Sequence, residues 1–313
     1  ETELVYVKTK KPKKIAVVGG GVAGMSAATV AASRGHQVTL FEANSEIGGQ
    51  FNLAKVVPGK EEFHETIRYF KVQIEKTGVD LRLNTRVNRE QLEREGFDEV
   101  IVATGVIPRQ LKIEGSQLPQ VLSYAEVLKG APVGNSVAVI GAGGIGFDVS
   151  EFLLKPIHQP QPQPLVDWQR EWGIDPQPDY MTEGGLQAPQ IEAPIRQVYL
   201  LQRKTTPLGI GLGKTSGWVH RAQLKKHAVR MMRGVQYKAV TDEGLWVELN
   251  GYDQLLRVDT VIVCAGQESI KDLMPSENEA TLANYHIIGG AKLAAELDAK
   301  RAIREGAELA AQL

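Results

Sequence analysis

The stretch IAVVGGGVAGMSAA, residues 15–28, joins a short apolar run to an alanine-rich run through a glycine turn. In this turn Gly19, Gly21 and Gly24 have the G-x-G-x-x-G spacing of a dinucleotide-binding strand–turn–helix. The first glycine permits a tight turn, the second lets a pyrophosphate approach the backbone, and the third lets the helix pack against the strand. Because residues 37–42 form a second apolar run, we predict a βαβ unit that binds phosphate at its helix N-terminus.

An acidic residue, Glu42, follows this unit where the ribose of a bound dinucleotide would lie. Glu42 ends the second predicted strand, roughly 20 residues after the glycine turn, as the motif requires. A carboxylate there accepts hydrogen bonds from ribose hydroxyls and repels a 2′-phosphate. The first turn therefore predicts a FAD-type site, and the alternative is a glycine-rich turn without a ligand.

The same pattern returns in VAVIGAGGIGFDVS, residues 137–150, where Gly141, Gly143 and Gly146 repeat the spacing. A second strand–turn–helix predicts a second dinucleotide. Residues 155–194 then interrupt the pattern with a run rich in proline and glutamine, and we predict an irregular insertion there instead of a packed element.

The strand after this insertion ends in two cations, Arg203 and Lys204, where the first unit has Glu42. Two positive charges at the ribose position suit a 2′-phosphate, so the second turn predicts NADP(H) in preference to NAD(H). Arg203 lies farther from its glycine turn than the motif requires, and we attribute the difference to the insertion. The alternative is a solvated strand end that binds nothing.

Composition and charge restrict the partners of the chain. With 313 residues, 42% of them hydrophobic, and a formal net charge of −1, the chain has material for globular cores and no overall field that attracts nucleic acid or an anionic membrane. No apolar run is long enough to span a membrane or to act as a signal peptide. We therefore expect a cytoplasmic protein without a nucleic-acid or membrane partner.

The cysteine content argues against disulfide chemistry and against a cysteine-ligated metal site. The sequence holds one cysteine, Cys264, which excludes an internal disulfide, a Cys-x-x-Cys pair and a cysteine-ligated metal site within it. Cys264 lies in an apolar run and is predicted to be a buried small residue. No metal site is predicted. Hydride transfer between two dinucleotides needs rings held close together and no acid–base side chains, so no catalytic residue is predicted either.

Four segments together resemble the two-dinucleotide-binding flavoprotein disulfide reductase superfamily. They are GGGVAG at 19–24, Glu42 with IGGQ at 47–50, ATG at 103–105 and GAGGIG at 141–146. The resemblance implies that ATG closes the first part of a FAD domain, that an NAD(P) domain is inserted next, and that the chain then returns to the FAD domain. The missing cysteine pair excludes a thioredoxin-reductase or glutathione-reductase mechanism.

Longer segments resemble the C-terminal half of the bacterial NADPH-dependent 2,4-dienoyl-CoA reductase family. They are SEIGGQFNLAKVVPGKEEF (45–63), LQRKTTPLGIGLGKTSGWVHR (201–221), VIVCAGQE (261–268) and HIIGGAKLAAELDAKRAI (286–303). In that family NADPH reduces FAD, and electrons cross a four-iron cluster to FMN in an N-terminal (β/α)8 barrel, which reduces a dienoyl-CoA in the β-oxidation of unsaturated fatty acids. The implied partner is an N-terminal FMN and iron–sulfur barrel domain of the same polypeptide or complex, because the sequence contains neither the barrel nor the cluster cysteines.

The fold class predicted from the motifs and the resemblance is α/β, with two Rossmann-like three-layer dinucleotide-binding domains and the NADP domain inserted into the FAD domain. The predicted segments are a linker (1–12), the first part of the FAD domain (13–130), the NADP domain (131–266, with the insertion at 155–194) and the second part of the FAD domain (267–313). Within the NADP domain, Asn250-Gly251 predicts a hairpin over residues 244–258.

The residues expected at the two dinucleotides follow from the motifs and, beyond them, from the resemblance. Those expected at FAD are Gly19, Gly21, Val22, Ala23, Gly24, Glu42, Gly49, Gln50, Val87, Ala103, Thr104, Gly105, Gly290 and Asp298. Those expected at NADP(H) are Gly141, Gly143, Gly144, Ile145, Gly146, Arg203 and Lys204. Gly290 stands where many superfamily members have an aspartate, and Asp298 is either near the flavin or a helix N-terminal acid that the dipole favours.

Three other functions fit parts of this pattern. In a trimethylamine dehydrogenase-type enzyme a similar module holds ADP passively, but Glu42 with Gly49-Gln50 and the pair Arg203-Lys204 argue against that function. A stand-alone NADPH diaphorase would use the same two sites with another acceptor. A nucleotide-binding scaffold without redox function would keep the fold alone, and intact motifs at both sites disfavour it.

Overall fold

The computed structural model describes residues 4–155, 163–175, 185–276, 279–295 and 298–313. The helices in these ranges are α1 (Val22–Ser33), α2 (Phe51–Ala54), α3 (Phe63–Thr77), α4 (Arg89–Glu95), α5 (Tyr124–Leu128), α6 (Gly144–Leu154), α7 (Leu165–Trp172), α8 (Gly217–Lys226), α9 (Gly289–Lys292) and α10 (Ala299–Gln312). The strands are β1 (Lys14–Val18), β2 (Gln37–Phe41), β3 (Asp80–Arg82), β4 (Glu99–Val102), β5 (Val106–Pro108), β6 (Val121–Ser123), β7 (Ser136–Ile140), β8 (Gln197–Gln202), β9 (Arg230–Arg233), β10 (Gln236–Thr241), β11 (Gly244–Leu249), β12 (Tyr252–Leu256), β13 (Thr260–Val263), β14 (Gln267–Ser269) and β15 (Asn284–Ile287).

The chain divides into two compact units, and each contains a five-stranded parallel sheet. The first unit consists of Glu1–Lys55, Glu62–Ile107 and Gln267–Leu313, and the second consists of Val56–Glu61 and Pro108–Gly266. The short strands β5 and β14 pair in a separate two-stranded sheet. Parallel sheets covered by helices confirm the predicted α/β fold class.

The sheet of the first unit has the strand order β15-β4-β1-β2-β3. Its central strand β1 is apolar at successive positions because both faces of the sheet are covered. Ile15 and Val17 pack into one buried cluster with α1, α3 and α10, whereas Ala16 and Val18 pack into another on the opposite face. Strand β15, late in the sequence, completes the sheet by pairing with β4.

Helix α10 packs against α1 at a distance that only small residues permit. Ser26 on α1 donates a hydrogen bond from Oγ to the carbonyl oxygen of Ile303 at 2.8 Å. A Cβ placed on Gly306 would overlap the carbonyl oxygen of Ala23 and lie 3.0 Å from the amide nitrogen of Ala27. The C-terminal helix therefore supports the N-terminal half of α1 by direct backbone contact.

We predict that Gly306→Ala destabilises the protein, although alanine is the better helix former by about 1 kcal/mol. The overlap with Ala23 forces the helices apart, so the free energy of unfolding should fall by ~1–3 kcal/mol. Urea unfolding measures this change. Lys300→Ala, at an exposed site of the same helix, is the control and should be nearly neutral. A stabilised Gly306→Ala variant would contradict the close packing.

The sheet of the second unit has the strand order β6-β13-β7-β8-β9. A three-stranded antiparallel sheet, β10-β11-β12, packs on one face, where Ala138 and Ile140 of β7 meet Val240 and Leu245. Helices α5 and α6 contact the parallel strands. The predicted hairpin over 244–258 is confirmed as β11 and β12, which are antiparallel and joined through Asn250-Gly251 with positive φ at both residues.

The structure contradicts the prediction that the insertion at 155–194 contains no packed element. We predicted irregular structure without packed elements, but residues 165–172 form the helix α7. Residues 156–162 and 176–184, including most of the QPQPQP run, lie outside the described residues. Helix α7 is fixed by Glu171, which is 6% exposed. Proline is disfavoured in the interior of a helix but tolerated at its start, and α7 begins directly after Pro164.

Five side chains surround the buried carboxylate of Glu171. Lys155 Nζ lies 3.1 Å from one carboxylate oxygen, to which Gln163 also donates. Gln223 donates to the other oxygen, and His227 Nε2 and Lys226 Nζ lie 3.3 and 3.9 Å from it. Burial raises the pKa of Glu171, but the hydrogen bonds and the charge of Lys155 outweigh burial and hold the pKa well below its usual value. The fixed charge of Glu171 therefore anchors α7 to the residues that end α8.

We predict that this anchor is lost in acid. Because the folded-state pKa of Glu171 is depressed, its stabilisation is complete above about pH 4.5 and disappears as the pH falls further. Glu171→Gln should lower the free energy of unfolding by ~1.5–3 kcal/mol near pH 7, for lost charge-assisted hydrogen bonds. Thermal unfolding of both proteins from pH 7 to pH 3 tests this, because the gap between them should narrow below pH 4.5. A constant gap would contradict it.

Candidate functional site

The first glycine turn is a tight cradle between β1 and α1. Gly19 has φ 114°, and a Cβ on it would overlap the carbonyl oxygen of Ala103. A Cβ on Gly24 would overlap the carbonyl oxygen of Gly19, so helix and turn are in backbone contact. Gly21 differs, because nothing lies within 4 Å of its Cβ position. The first and third glycines therefore serve packing, and the second faces open space.

The start of α1 leaves amide hydrogens available for an anion. Gly21 is the N-cap, no side chain accepts a hydrogen bond there, and the first turn holds no acidic residue. The first amides of a helix lack intrahelical acceptors and carry the positive end of the helix dipole. The open space beside Gly21 and these amides fit a dinucleotide pyrophosphate.

The carboxylate of Glu42 is buried at the end of β2 and points at this turn. One oxygen accepts from the amide of Gly20 at 2.8 Å, and the other accepts from Asn44 N at 2.8 Å and Asn44 Nδ2 at 2.6 Å. Glu42 is thereby oriented before any ribose approaches. Sequence reasoning missed Asn44, although its position two residues after the acid, where an amide side chain turns back on the chain, was a usable signal.

The IGGQ segment lies against the same cradle. The amide of Gly48 donates to the carbonyl oxygen of Gly20 at 2.8 Å, and Gly49 has φ 55° with its Cβ position 3.0 Å from Gly21 Cα. Gln50 is exposed and starts α2. Gly49 therefore lies against the first glycine turn, as expected, and Gln50 is its neighbour in the chain.

The ATG segment and the C-terminal return meet at the end of β4. Ala103 supports Gly19, and Thr104 Oγ1 donates to the carbonyl oxygen of Ile270 at 2.7 Å. The carbonyl oxygen of Gly105 accepts from the amide of Ile270. Gly290 accepts at its carbonyl from Ser269 Oγ at 2.7 Å, one residue after Gly289, whose Cβ position lies 2.8 Å from Ala23 Cβ. The return segment therefore reaches the N-terminal turn of α1.

Two of the residues expected at FAD also have structural roles. Val87 is buried in the cluster that holds Val18 and Phe41, on the sheet face opposite α1. Asp298 is exposed and caps α10, because its Oδ1 accepts from the amide of Arg301 at 2.6 Å. Helix capping was one of the two alternatives for Asp298.

The second glycine turn repeats the first in backbone detail. Gly141 has φ 108° and packs against the carbonyl oxygen of Cys264, and Gly146 packs against the carbonyl oxygen of Gly141. Gly143 is the N-cap of α6, and the Cβ positions of Gly143 and Gly144 are open. Helix α6, with Ile145 in its first turn, also has no side-chain cap and no acid there. This cradle fits a second pyrophosphate.

The strand ends at which the sequence predicts the two riboses differ in charge and in burial. Arg203 and Lys204 are exposed directly after β8. Their turn is fixed by Gln202, whose amide group donates to the carbonyl oxygens of Lys204 and Thr206. Among the described residues, no carboxylate pairs with Arg203 or Lys204. The structure therefore presents a fixed, buried carboxyl group at the first cradle and exposed cations after the corresponding strand of the second.

A row of ion pairs along α6 was not predicted from the sequence. Asp148 pairs with Lys60 at 2.6 Å, and Glu151 lies 2.7 Å from His220 Nδ1. The hydrogen bond to Glu151 raises the pKa of His220 above its usual value despite partial burial. These residues have no motif spacing, since Lys60 and His220 are far from α6 in the sequence.

The remaining chemistry in the described residues is limited. Cys264 is buried, and burial raises the pKa of its thiol, as expected for an inert core residue. No group of three or more potential metal-ligating side chains was found in the part of the chain that the structure describes. Within that part, no helix is both long and apolar enough to cross a membrane.

The fold and the paired cradles define an oxidoreductase domain that binds two dinucleotides. Residues 13–288 match the family model of pyridine nucleotide-disulphide oxidoreductases, and the chain belongs to this family. The family binds FAD and NAD(P)H.

Several longer proteins named as reductases are similar to this chain. It is 30% identical over 292 residues to cinnamate reductase of Clostridium sporogenes, covering 93% of this chain and 38% of that protein. It is 42% identical over 158 residues to bilirubin reductase of Mediterraneibacter gnavus, covering 49% and 24%. A solved 2-naphthoyl-CoA reductase complex superposes with a TM-score of 0.80 at 26% identity, covering 99% of this chain and 41% of that one. The chain thus spans less than half of each of these relatives.

We predict that cradle glycines separate into packing and binding positions. Gly24→Ala should destabilise the fold by ~1–3 kcal/mol or more, because its Cβ meets backbone. Gly21→Ala should stay within about 1 kcal/mol of the parent protein, since φ −75° suits alanine and the cost is that of a poorer N-cap. Its methyl group should nevertheless weaken FAD binding at least tenfold. Thermal unfolding without ligand and FAD titration measure the two effects, and equal behaviour of the two variants would contradict the assignment.

Proposed function

We propose that this chain is the electron-input module of a 2,4-dienoyl-CoA reductase, which passes hydride from NADPH to FAD. Electrons would then leave for an iron–sulfur cluster and FMN in an N-terminal barrel domain. The observation that carries the proposal is the pair of cradles with the same backbone and opposite ribose-site charges, Glu42 at one and Arg203-Lys204 at the other.

The chain's own residues account for binding and orientation. Glu42 is held by three donors, so it can accept ribose hydroxyls without losing further side-chain freedom. Arg203 and Lys204 favour a nucleotide that carries a 2′-phosphate. When bound, NADPH supplies a hydride and FAD accepts it, which requires positioning and no acid–base side chain.

The route of the electrons beyond FAD is constrained by cysteine content. The sequence has one cysteine, and Cys264 is buried, so it offers no cysteine pair for a disulfide relay. An external carrier is needed, and a cluster and FMN in a further domain would supply one. The greater length of the relatives supports such a domain.

The names of relatives support the class of final acceptor. Cinnamate reductase and 2-naphthoyl-CoA reductase are named for a conjugated acid and a CoA thioester. A 2,4-dienoyl-CoA combines both properties, a conjugated double bond and a thioester. The proposed final reaction is therefore reduction of a dienoyl-CoA in unsaturated fatty acid oxidation.

Anaerobic titration of FAD-loaded protein with NADPH tests the input step. We expect the flavin absorption near 450 nm to bleach with about one equivalent, and NADH to be much less effective at the same concentration. Gly143→Ala should keep FAD and lose the response, because its methyl group occupies the second cradle.

Purified chain that carries ADP and no flavin would favour the trimethylamine dehydrogenase-type alternative. Bleaching without electron transfer to dienoyl-CoA by the full-length protein would favour a diaphorase.

A further inference from the structure

We infer that Arg233, at the end of β9, is a third cation that binds the 2′-phosphate of NADPH together with Arg203 and Lys204. The inference rests on the proposed use of NADPH and adds a specificity-determining residue that neither the glycine motif nor the strand after it contains. The observation that supports it is the position of Arg233 in the sheet, next to the turn that holds Arg203 and Lys204.

The register of the sheet puts the three cations at one edge. Strands β8 and β9 are parallel neighbours, and Gln202 pairs with Arg233. Parallel neighbours lie about 4.8 Å apart, and their carboxyl ends share one edge of the sheet. Arg233 therefore lies beside Gln202, and Gln202 is the residue directly before Arg203.

Backbone hydrogen bonds join the two turns that follow these strands. The amide of Gly234 donates to the carbonyl oxygen of Lys204, and the amide of Val235 donates to that of Gln202, both at 3.0 Å. Gly234 has φ 71°, a conformation that suits glycine and lets the chain reverse after Arg233. The Arg203-Lys204 turn and the Arg233-Gly234 turn are thus fixed to each other.

The charge of this edge is not neutralised by the protein. Arg203, Lys204 and Arg233 are all exposed, and no carboxylate in the described ranges pairs with any of them. Elsewhere in the same unit exposed cations do have acidic partners, as Lys238 has Glu248 and Arg257 has Glu243. Three clustered like charges repel one another, so a dianionic phosphate ester at this edge would be stabilised by all three.

Binding of nucleotide fragments to the FAD-loaded chain tests the inference without turnover. The probes are 2′,5′-ADP and 5′-AMP, which differ by the 2′-phosphate, measured by isothermal titration calorimetry. Arg233→Ser should weaken 2′,5′-ADP about tenfold or more and leave 5′-AMP unchanged. It should also reduce the dependence of 2′,5′-ADP affinity on salt. Arg233→Lys should recover part of the affinity, because the charge returns without the planar fork.

A matched control lies near the amino ends of the strands, away from the carboxyl ends where Arg233 lies. Arg257 is exposed, precedes β13, and accepts at its carbonyl from Ser136 at the start of β7. Arg257→Ser removes the same charge from the same unit and should leave both affinities unchanged. Unchanged 2′,5′-ADP binding in Arg233→Ser, or equal weakening of both probes, would overturn the role of Arg233. Parent protein that binds both probes equally would instead overturn the proposed NADPH preference, and the Arg233 inference with it.

Discussion

The close approach of each cradle helix to the first glycine of its own turn is the contact on which the rest of the structure depends. Gly24 lies against the carbonyl oxygen of Gly19, and Gly146 against that of Gly141. This contact sets the helix N-terminus at the carboxyl end of the central strand of each sheet. Because the first helical amides have no acceptors within the helix, a site for phosphate follows directly from the packing.

Two cradles with the same backbone can distinguish their nucleotides only through the side chains around them. The first cradle uses Glu42, a buried carboxylate that three donors hold in place. At the second cradle the corresponding strand is followed by the exposed cations Arg203 and Lys204, and the field of exposed charges is weakened by salt. Ribose hydroxyls need directed acceptors, whereas a phosphate dianion is attracted by any cluster of positive charge, so the two arrangements suit the two chemistries.

Local signals in the sequence predicted the parts of the structure that depend on short stretches of chain. The glycine turns, their flanking strands and the hairpin at Asn250-Gly251 each follow from backbone requirements within a few residues. The insertion was mispredicted as irregular because α7 depends on Glu171, whose partners include Gln223 and His227 far along the sequence. No periodicity within residues 155–194 encodes those partners.

The sequence by itself determined that the chain is an α/β protein with two dinucleotide-type glycine turns, one unit having an acidic strand end and the other a basic one, since glycine spacing and strand-end residues are local properties. Only the tertiary structure decided which distant residues join those turns. Asn44 orients Glu42, Gly306 supports α1, and strand register sets Arg233 beside Arg203. These placements arise from sheet pairing and helix packing between segments that are remote in sequence, and no local pattern records them.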